Sequence, residues 1–274
     1  MQARSALFDL YGDHLRPRGG EAPVAALVRL LAPLSIAAPA VRTAVSRMVR
    51  QGWLRPVRLQ AGPGYALTTR ALHRLDDAAA RIYRTNRRDW DGRFDLVVVT
   101  PPAVRADRAR LVDTLTFLGF GALSPTTWAA PRRGAVRARD AEVTELLTDL
   151  GVPAERFVAR HQAGSTGAAE LVRRAWDLGA LADSYRRFVA EYTPAMTALP
   201  ADLPDERGYA ARFGLVHAWR TFLFSDPQLP PELLPADWPG TKAAAFFDRY
   251  AGRLRPAADR YVDACLGPGR SRRH

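Results

Sequence analysis

The chain has 274 residues, of which 47% are apolar, enough to fill two or three cores of ordinary size. It has no run of 18 apolar residues to cross a membrane and a single cysteine, Cys265, which excludes an internal disulfide. Of a formal net charge of +12, nearly all sits in residues 1–88, where 15 Arg face 5 acids, so the first third carries the electrostatic footprint of a nucleic-acid-binding head.

Ser5–Leu15 has apolar residues at 7, 8, 10, 11 and 15 and predicts a short first helix, broken by Arg16–Gly20 (RPRGG). Met1–Leu15 has no signal-peptide h-region, which with the cysteine usage fits an expected cytoplasmic location. Pro23 opens a second helix over Val24–Leu34. Ser35–Ala38 is a connector, and a third helix runs from Pro39 to Gly52. Val41, Ala44, Val45, Met48 and Val49 recur at steps of three and four and form one buried stripe. Arg42, Thr43, Ser46, Arg47 and Arg50 fall on the other side, with Arg42, Ser46 and Arg50 aligned at i, i+4 and i+8. Such a helix fits the major groove of duplex DNA, where Arg binds guanine edges and Ser or Thr reaches bases or phosphates. An ordinary amphipathic helix with a solvated basic face has the same pattern.

Two alternating segments joined by Ala61–Gly64 follow, Trp53–Gln60 and Tyr65–Thr68, and predict a β-hairpin. A hairpin directly after the second helix of a helix-turn-helix is a wing, whose phosphate contacts are Arg55 and Arg58, with Gln60. Thr68 or Thr69 caps a connecting helix to about Arg88.

In the middle, Phe94–Val99 reads as a strand, Arg105–Phe120 as a helix, Gly121–Ala130 as a second strand, Ala141–Leu150 as a helix and Arg156–Gln162 as a third strand. The order suggests a small ferredoxin-like α/β unit, of a kind that commonly dimerises. Asp95 lies inside an apolar strand; it is a metal ligand of a nuclease, or it faces solvent or pairs with an Arg. No second carboxylate lies near it in a metal-ligand arrangement, and His161 has no partner at ligand spacing. With no triad, P-loop or zinc spacing, neither catalysis nor a cofactor is expected.

Gly164–Gly167 reads as a linker to a helical end. Helical patterns cover Glu170–Tyr192, Tyr209–Leu223 and Lys242–Leu266, with a Pro-rich loop over Asp226–Gly240 pinned by Leu229, Leu233, Leu234 and Trp238 and a basic tail after Gly267. Trp176, Tyr185, Trp219 and Trp238, with Arg186, His217 and Arg220, have the chemistry to hold an aromatic anion, rings stacking and Arg binding its phosphate or carboxylate. A helical dimerisation bundle packed with aromatics accounts for the same residues and is the favoured reading from these residues alone.

The stretches LFDLYGDHLRPRGG, VRTAVSRMVRQGWL and HAWRTFLFSDPQLPPELLPADWPG together resemble the PaaX family of bacterial transcriptional regulators, over almost the full length. The resemblance implies an α+β chain of three modules: a GntR-like winged helix-turn-helix (1–88), a ferredoxin-like, Cas2-like dimerisation domain (89–163) and a helical effector and dimerisation domain (164–274). It implies a dimeric repressor of aromatic-acid catabolic genes, released from double-stranded operator DNA by an acyl-CoA such as phenylacetyl-CoA. By motif position it assigns the DNA contacts to Arg42, Thr43, Ser46, Arg47 and Arg50, with wing Arg55 and Arg58. The effector candidates Trp176, Tyr185, Arg186, His217, Trp219 and Arg220 rest on the residue reading alone.

Overall fold

The computed structural model describes residues 1–83, 90–132, 136–162 and 167–267. The expected run of the connecting helix to Arg88, most of the Gly164–Gly167 linker and the basic tail past Gly267 lie outside those residues.

Helix α1 (Ala3–Asp9) passes into a π-helical stretch, Leu10–Leu15, and a 3-10 turn, Arg16–Arg18. The expected single helix is therefore two geometries, and RPRGG breaks the chain only at Gly19 and Gly20, both left-handed. Strand β1 (Glu21–Pro23) precedes α2 (Val24–Leu31), which ends in a 3-10 turn over Ala32–Leu34. Helix α3 (Ala38–Arg50), strands β2 (Leu54–Leu59) and β3 (Gly62–Leu67) and helix α4 (Thr69–Ile82) follow. β1 adds to the hairpin, so the sheet is three-stranded in the order β1-β3-β2. Thr68 caps α4 through its side chain, accepting from the Ala71 N–H at 3.2 Å.

The middle runs β4 (Arg93–Val99), α5 (Arg105–Phe117), β5 (Gly121–Ser124), β6 (Thr127–Pro131), α6 (Val136–Leu150) and β7 (Ala154–Arg160). The stretch expected to be one strand over Gly121–Ala130 is a tight hairpin instead. Ser124 and Thr127 pair across the turn at Pro125 and Thr126, where a two-residue break fits inside an otherwise strand-like run. The sheet order is β5-β6-β4-β7, all antiparallel.

Beyond it lie α7 (Ala168–Ala175), α8 (Leu178–Thr197), α9 (Asp205–Trp219), α10 (Phe222–Ser225) and α11 (Pro239–Leu266). The pattern expected as one helix over Glu170–Tyr192 is two, because Trp176 is extended and the Asp177 carboxylate accepts from the Ala180 N–H at 2.9 Å. An Asp in that position starts a new helix rather than continuing the old one.

These elements form two compact units. The first is Met1–Thr85 with Phe188–Arg220 and Ala243–His274; the second is Asn86–Arg187 with Thr221–Lys242. In the first, Leu7, Leu10, Leu27, Leu30, Val41 and Met48 from the amino-terminal helices share one core with Tyr209 and Phe213 of α9 and Ala258, Val262 and Leu266 of α11. In the second, strand alternation sorts β4 onto two faces. Val97 and Val99 pack with Trp128 under Leu111 and Leu115 of α5 and Val143 and Leu146 of α6. Phe94 and Leu96 face Val172 of α7 and Leu229 and Leu233 of the Pro-rich loop, so that loop is pinned to the sheet by its leucines.

Candidate nucleic-acid interface

Helix α3 starts with Pro39 in its first turn, where the missing N–H costs nothing, and buries Val41, Ala44, Val45 and Met48. Arg42, Thr43, Ser46, Arg47 and Arg50 are all exposed on its other side. Gly52, at φ 71°, ends it; the Trp53 N–H reaches back to the Met48 carbonyl at 2.9 Å, a geometry that favours glycine. The turn that aims α3 is closed at Ser35, which is left-handed at φ 60° without being glycine. Its N–H donates to the Ala32 carbonyl at 2.9 Å, and the Ile36 N–H donates to Leu31 at 3.3 Å, bringing Ile36 into the core.

The β2–β3 hairpin is anchored at its base by Leu54 opposite Leu67, both buried, and opens through Arg58 opposite Pro63. Arg55 and Arg58 are exposed. Being three apart on a strand, they project from opposite faces, so a duplex lying along one face meets one of them directly. β3 is the central strand, and Gly64 there has no room for a side chain: a Cβ would lie 2.6 Å from the Ala22 carbonyl oxygen.

Between Glu21 and Asp76 the chain carries eight Arg and no carboxylate. Among the described residues, Arg42, Arg47, Arg50, Arg55 and Arg58 make no ion pair with a carboxylate. The positive field of this surface is thus uncompensated from within, as an interface for phosphates requires. Arg70 and Arg74, one turn apart on α4 and exposed, extend the acid-free run onto a helix whose sequence pattern predicts only a connector. Their i, i+4 spacing was the available signal.

The buried arginines elsewhere in the first unit behave differently. Arg18 donates to Asp263 at 2.6 Å, to Asp259 at 2.9 Å and to the His14 carbonyl at 2.9 Å. Arg212 pairs with Asp13, which also accepts from the Tyr83 hydroxyl. Burial works to raise the Asp13 carboxyl, but His14 and Arg212 outweigh it and hold the group well below the usual carboxylate range. His14 is pushed down to about 4, first by its own burial and then by the guanidiniums of Arg212 and Arg18, against the pull of Asp13.

The effector candidates fall in both units. Trp176 packs in the cluster of Phe94, Leu229 and Leu233, its ring over Gly121. Tyr185 stacks on Phe222 at 4.2 Å, meets Trp238 edge-on at 6.0 Å and donates its hydroxyl to Asp226 at 2.6 Å. Arg186 pairs with Asp183 on the exposed side of α8 at 2.7 Å. In the first unit, Trp219 stacks on Phe247 at 4.8 Å and donates its indole N–H to the Ile82 carbonyl at 3.2 Å. His217 and Arg220 converge on one carboxylate, Asp9 of α1, the His217 Nδ1 at 2.6 Å. Asp9, Phe222 and Asp226 lie far in sequence from the groups they meet, and periodicity carries no trace of them.

In the second unit Asp95 is buried and paired with Arg132 and Arg139. Among the described residues no group of three His, Cys, Asp or Glu could hold a metal ion. Cys265 is buried in the first unit's core, where burial raises its thiol. No helix among the described residues is long and apolar enough to cross a membrane.

Three family profiles match in succession: PaaX-like protein over residues 2–71, PaaX protein central Cas2-like domain over 87–172, and PaaX-like protein C-terminal domain over 176–264. The transcriptional repressor PaaX of Escherichia coli (strain K12) is 32% identical over 265 residues, covering 94% of this chain and 82% of the relative. Among solved structures, the uncharacterized protein Rv0674 from Mycobacterium tuberculosis matches with a TM-score of 0.58 and 26% identity, covering 93% of this chain and 96% of that one. With the α+β architecture, the Cas2-like middle and the helical carboxyl-terminal part in place, the chain belongs to the PaaX family of transcriptional regulators.

Proposed function

We propose that the protein is a dimeric repressor that binds operator DNA through a winged helix-turn-helix and leaves it when an acyl-CoA effector binds. The observation that carries this reading is the α3 face: five polar side chains, three of them Arg, exposed on one side of a helix in a segment without carboxylates. α2, the left-handed turn at Ser35, α3 and the β2–β3 hairpin are the parts such a motif needs, in its order. Arg42, Thr43, Ser46, Arg47 and Arg50 read the major groove; on the wing, one of Arg55 and Arg58 meets phosphates directly and the other reaches them around the strand edge.

In this reading residues 1–88 bind DNA, 89–163 dimerise, and 164–274 dimerise and take the effector. A twofold dimer sets two recognition helices about one helical turn or a multiple apart, so the operator is an inverted repeat. Likeness to the transcriptional repressor PaaX supports the repressor role, and the family resemblance of the sequence suggests phenylacetate-type catabolic genes as targets, the cytoplasm as location and phenylacetyl-CoA as the effector.

The test is a titration of duplex DNA from upstream of the protein's own gene at two salt concentrations, with and without phenylacetyl-CoA. Selective binding that weakens steeply with salt and is released by the thioester is expected. Equal affinity for unrelated duplexes would remove the repressor reading; selective binding indifferent to the thioester would remove this effector.

A further inference from the structure

Asp9 at the end of α1 meets two basic side chains at once. Its carboxylate, with a side chain 3% exposed, takes the His217 Nδ1–H at 2.6 Å on one oxygen and the Arg220 guanidinium on the other. His217 and Arg220 lie three apart at the carboxyl-terminal end of α9, where the helix dipole favours positive charge. Unlike Asp9, they keep a solvent-facing edge, their side chains being 29% and 20% exposed. Arg220 also lies 3.5 Å from the Ser5 hydroxyl, one turn before Asp9. α1 packs against α3 as well as against α9, and Phe8 meets Trp53, just past α3, edge-on at 4.6 Å. The chain leaves the first unit immediately after Arg220.

We infer that His217 and Arg220 form an anion site that Asp9 fills from within, and that an anionic ligand acts by taking this pair from Asp9. The inference rests on the DNA-binding reading above and names the regulation of that same surface. A carboxylate or a phosphate monoester has the charge and the acceptor oxygens that Asp9 now supplies. A carboxylate left buried without its partners is strongly unfavourable, so displaced Asp9 must turn to water and take α1 with it. α1 lies against the recognition helix, so the α3 face loses the position in which it meets DNA. Anion and DNA then oppose each other by linkage: each weakens the other by the same factor.

Calorimetric titration of the full chain with phenylacetate and with inorganic phosphate, at one fixed ionic strength, separates the two sources of the anion. Asp9→Asn, which removes the internal competitor, is expected to bind the preferred anion at least tenfold more tightly than wild type and DNA at least tenfold more weakly. Arg220→Gln is expected to lose the anion. Tightening with phenylacetate alone identifies a carboxylate site, with phosphate alone a phosphate site, and with both a general anion site. If neither anion binds Asp9→Asn more tightly, the inference is overturned; a carboxylate that merely holds the fold predicts that result. His217→Gln keeps a hydrogen bond to Asp9 and covers the case in which Asp9→Asn does not fold. It should bind the anion at least fivefold more weakly, and wild-type anion affinity there overturns the inference equally. A wild-type chain that prefers no duplex sinks the DNA-binding reading, whereas unchanged anion affinity in the variants beside selective DNA binding sinks only the anion site at His217 and Arg220.

Discussion

Ser35 holds the turn before α3 at φ 60°, where a side chain crowds its own backbone at about 1–2 kcal/mol. Ser35→Gly relieves that crowding while loosening the unfolded chain, so a net gain of roughly 0.5–1 kcal/mol in thermal unfolding is expected. A lower melting temperature would show that the serine side chain is needed there. Gly64 is the opposite case. A methyl group meets the Ala22 carbonyl, which cannot step aside without parting β1 from β3. Gly64→Ala should cost about 1–3 kcal/mol, read as a lower denaturation midpoint; no change would mean that β1 yields freely. His14 makes the fold sensitive to acid. Its folded value of about 4 lies below the ordinary 6.5, so between those values the unfolded chain binds the proton and the native one does not. Stability is then full above 6.5 and falls as pH drops toward 4, by up to about 3 kcal/mol. Asp13 adds no loss in this window, because its folded value is depressed and its contribution fades only below about 3.8. His14→Gln should flatten the melting temperature between pH 6.5 and 4; an unchanged slope would place the proton elsewhere.

At the scale of the element, α3 was legible because its two faces differ in kind: a 3.6-residue stripe of Val, Ala and Met on one, Arg, Thr and Ser on the other. Replacing both Arg42 and Arg47 by Ala removes two exposed cations and no core atom. Sequence-selective DNA binding should fall by about 2–6 kcal/mol if both read bases, with the melting temperature held. If either touches phosphate instead, the loss is uniform across sequences and the salt slope shrinks by about one unit per contact. A drop in melting temperature would mean that this face supports the fold. Other elements defeated periodicity for local reasons. The Pro125–Thr126 turn is too short to interrupt a strand-like pattern, and Asp177 restarts a helix with one side chain. The π-helical Leu10–Leu15 has the same apolar residues as an α-helix, and only its backbone tells them apart.

At the scale of the whole molecule, what the sequence conceals is pairing across distance. Nothing local to Asp13 announces Arg212, or to Arg18 announces Asp259 and Asp263, because charge pairing has no period. Arg212→Met strands Asp13 in the core and should cost about 3–5 kcal/mol, whereas adding Asp13→Leu should recover most of it, since an apolar pair of like volume replaces the ion pair. Failure of the second change to recover stability would show that Tyr83 and the Ala251 carbonyl need the charges as well. The interleaving of segments in the first unit also has a consequence for synthesis. Its core needs Ala258, Val262 and Leu266, among the last described residues to leave the ribosome, beneath helices made some 200–250 residues earlier. The amino-terminal helices therefore spend most of translation with an apolar face uncovered, a setting in which chaperones are engaged and long-range closure governs the folding rate. An early stop codon leaves this core open, so a shortened chain presents an aggregation hazard instead of a small, free-standing competitor for the operator.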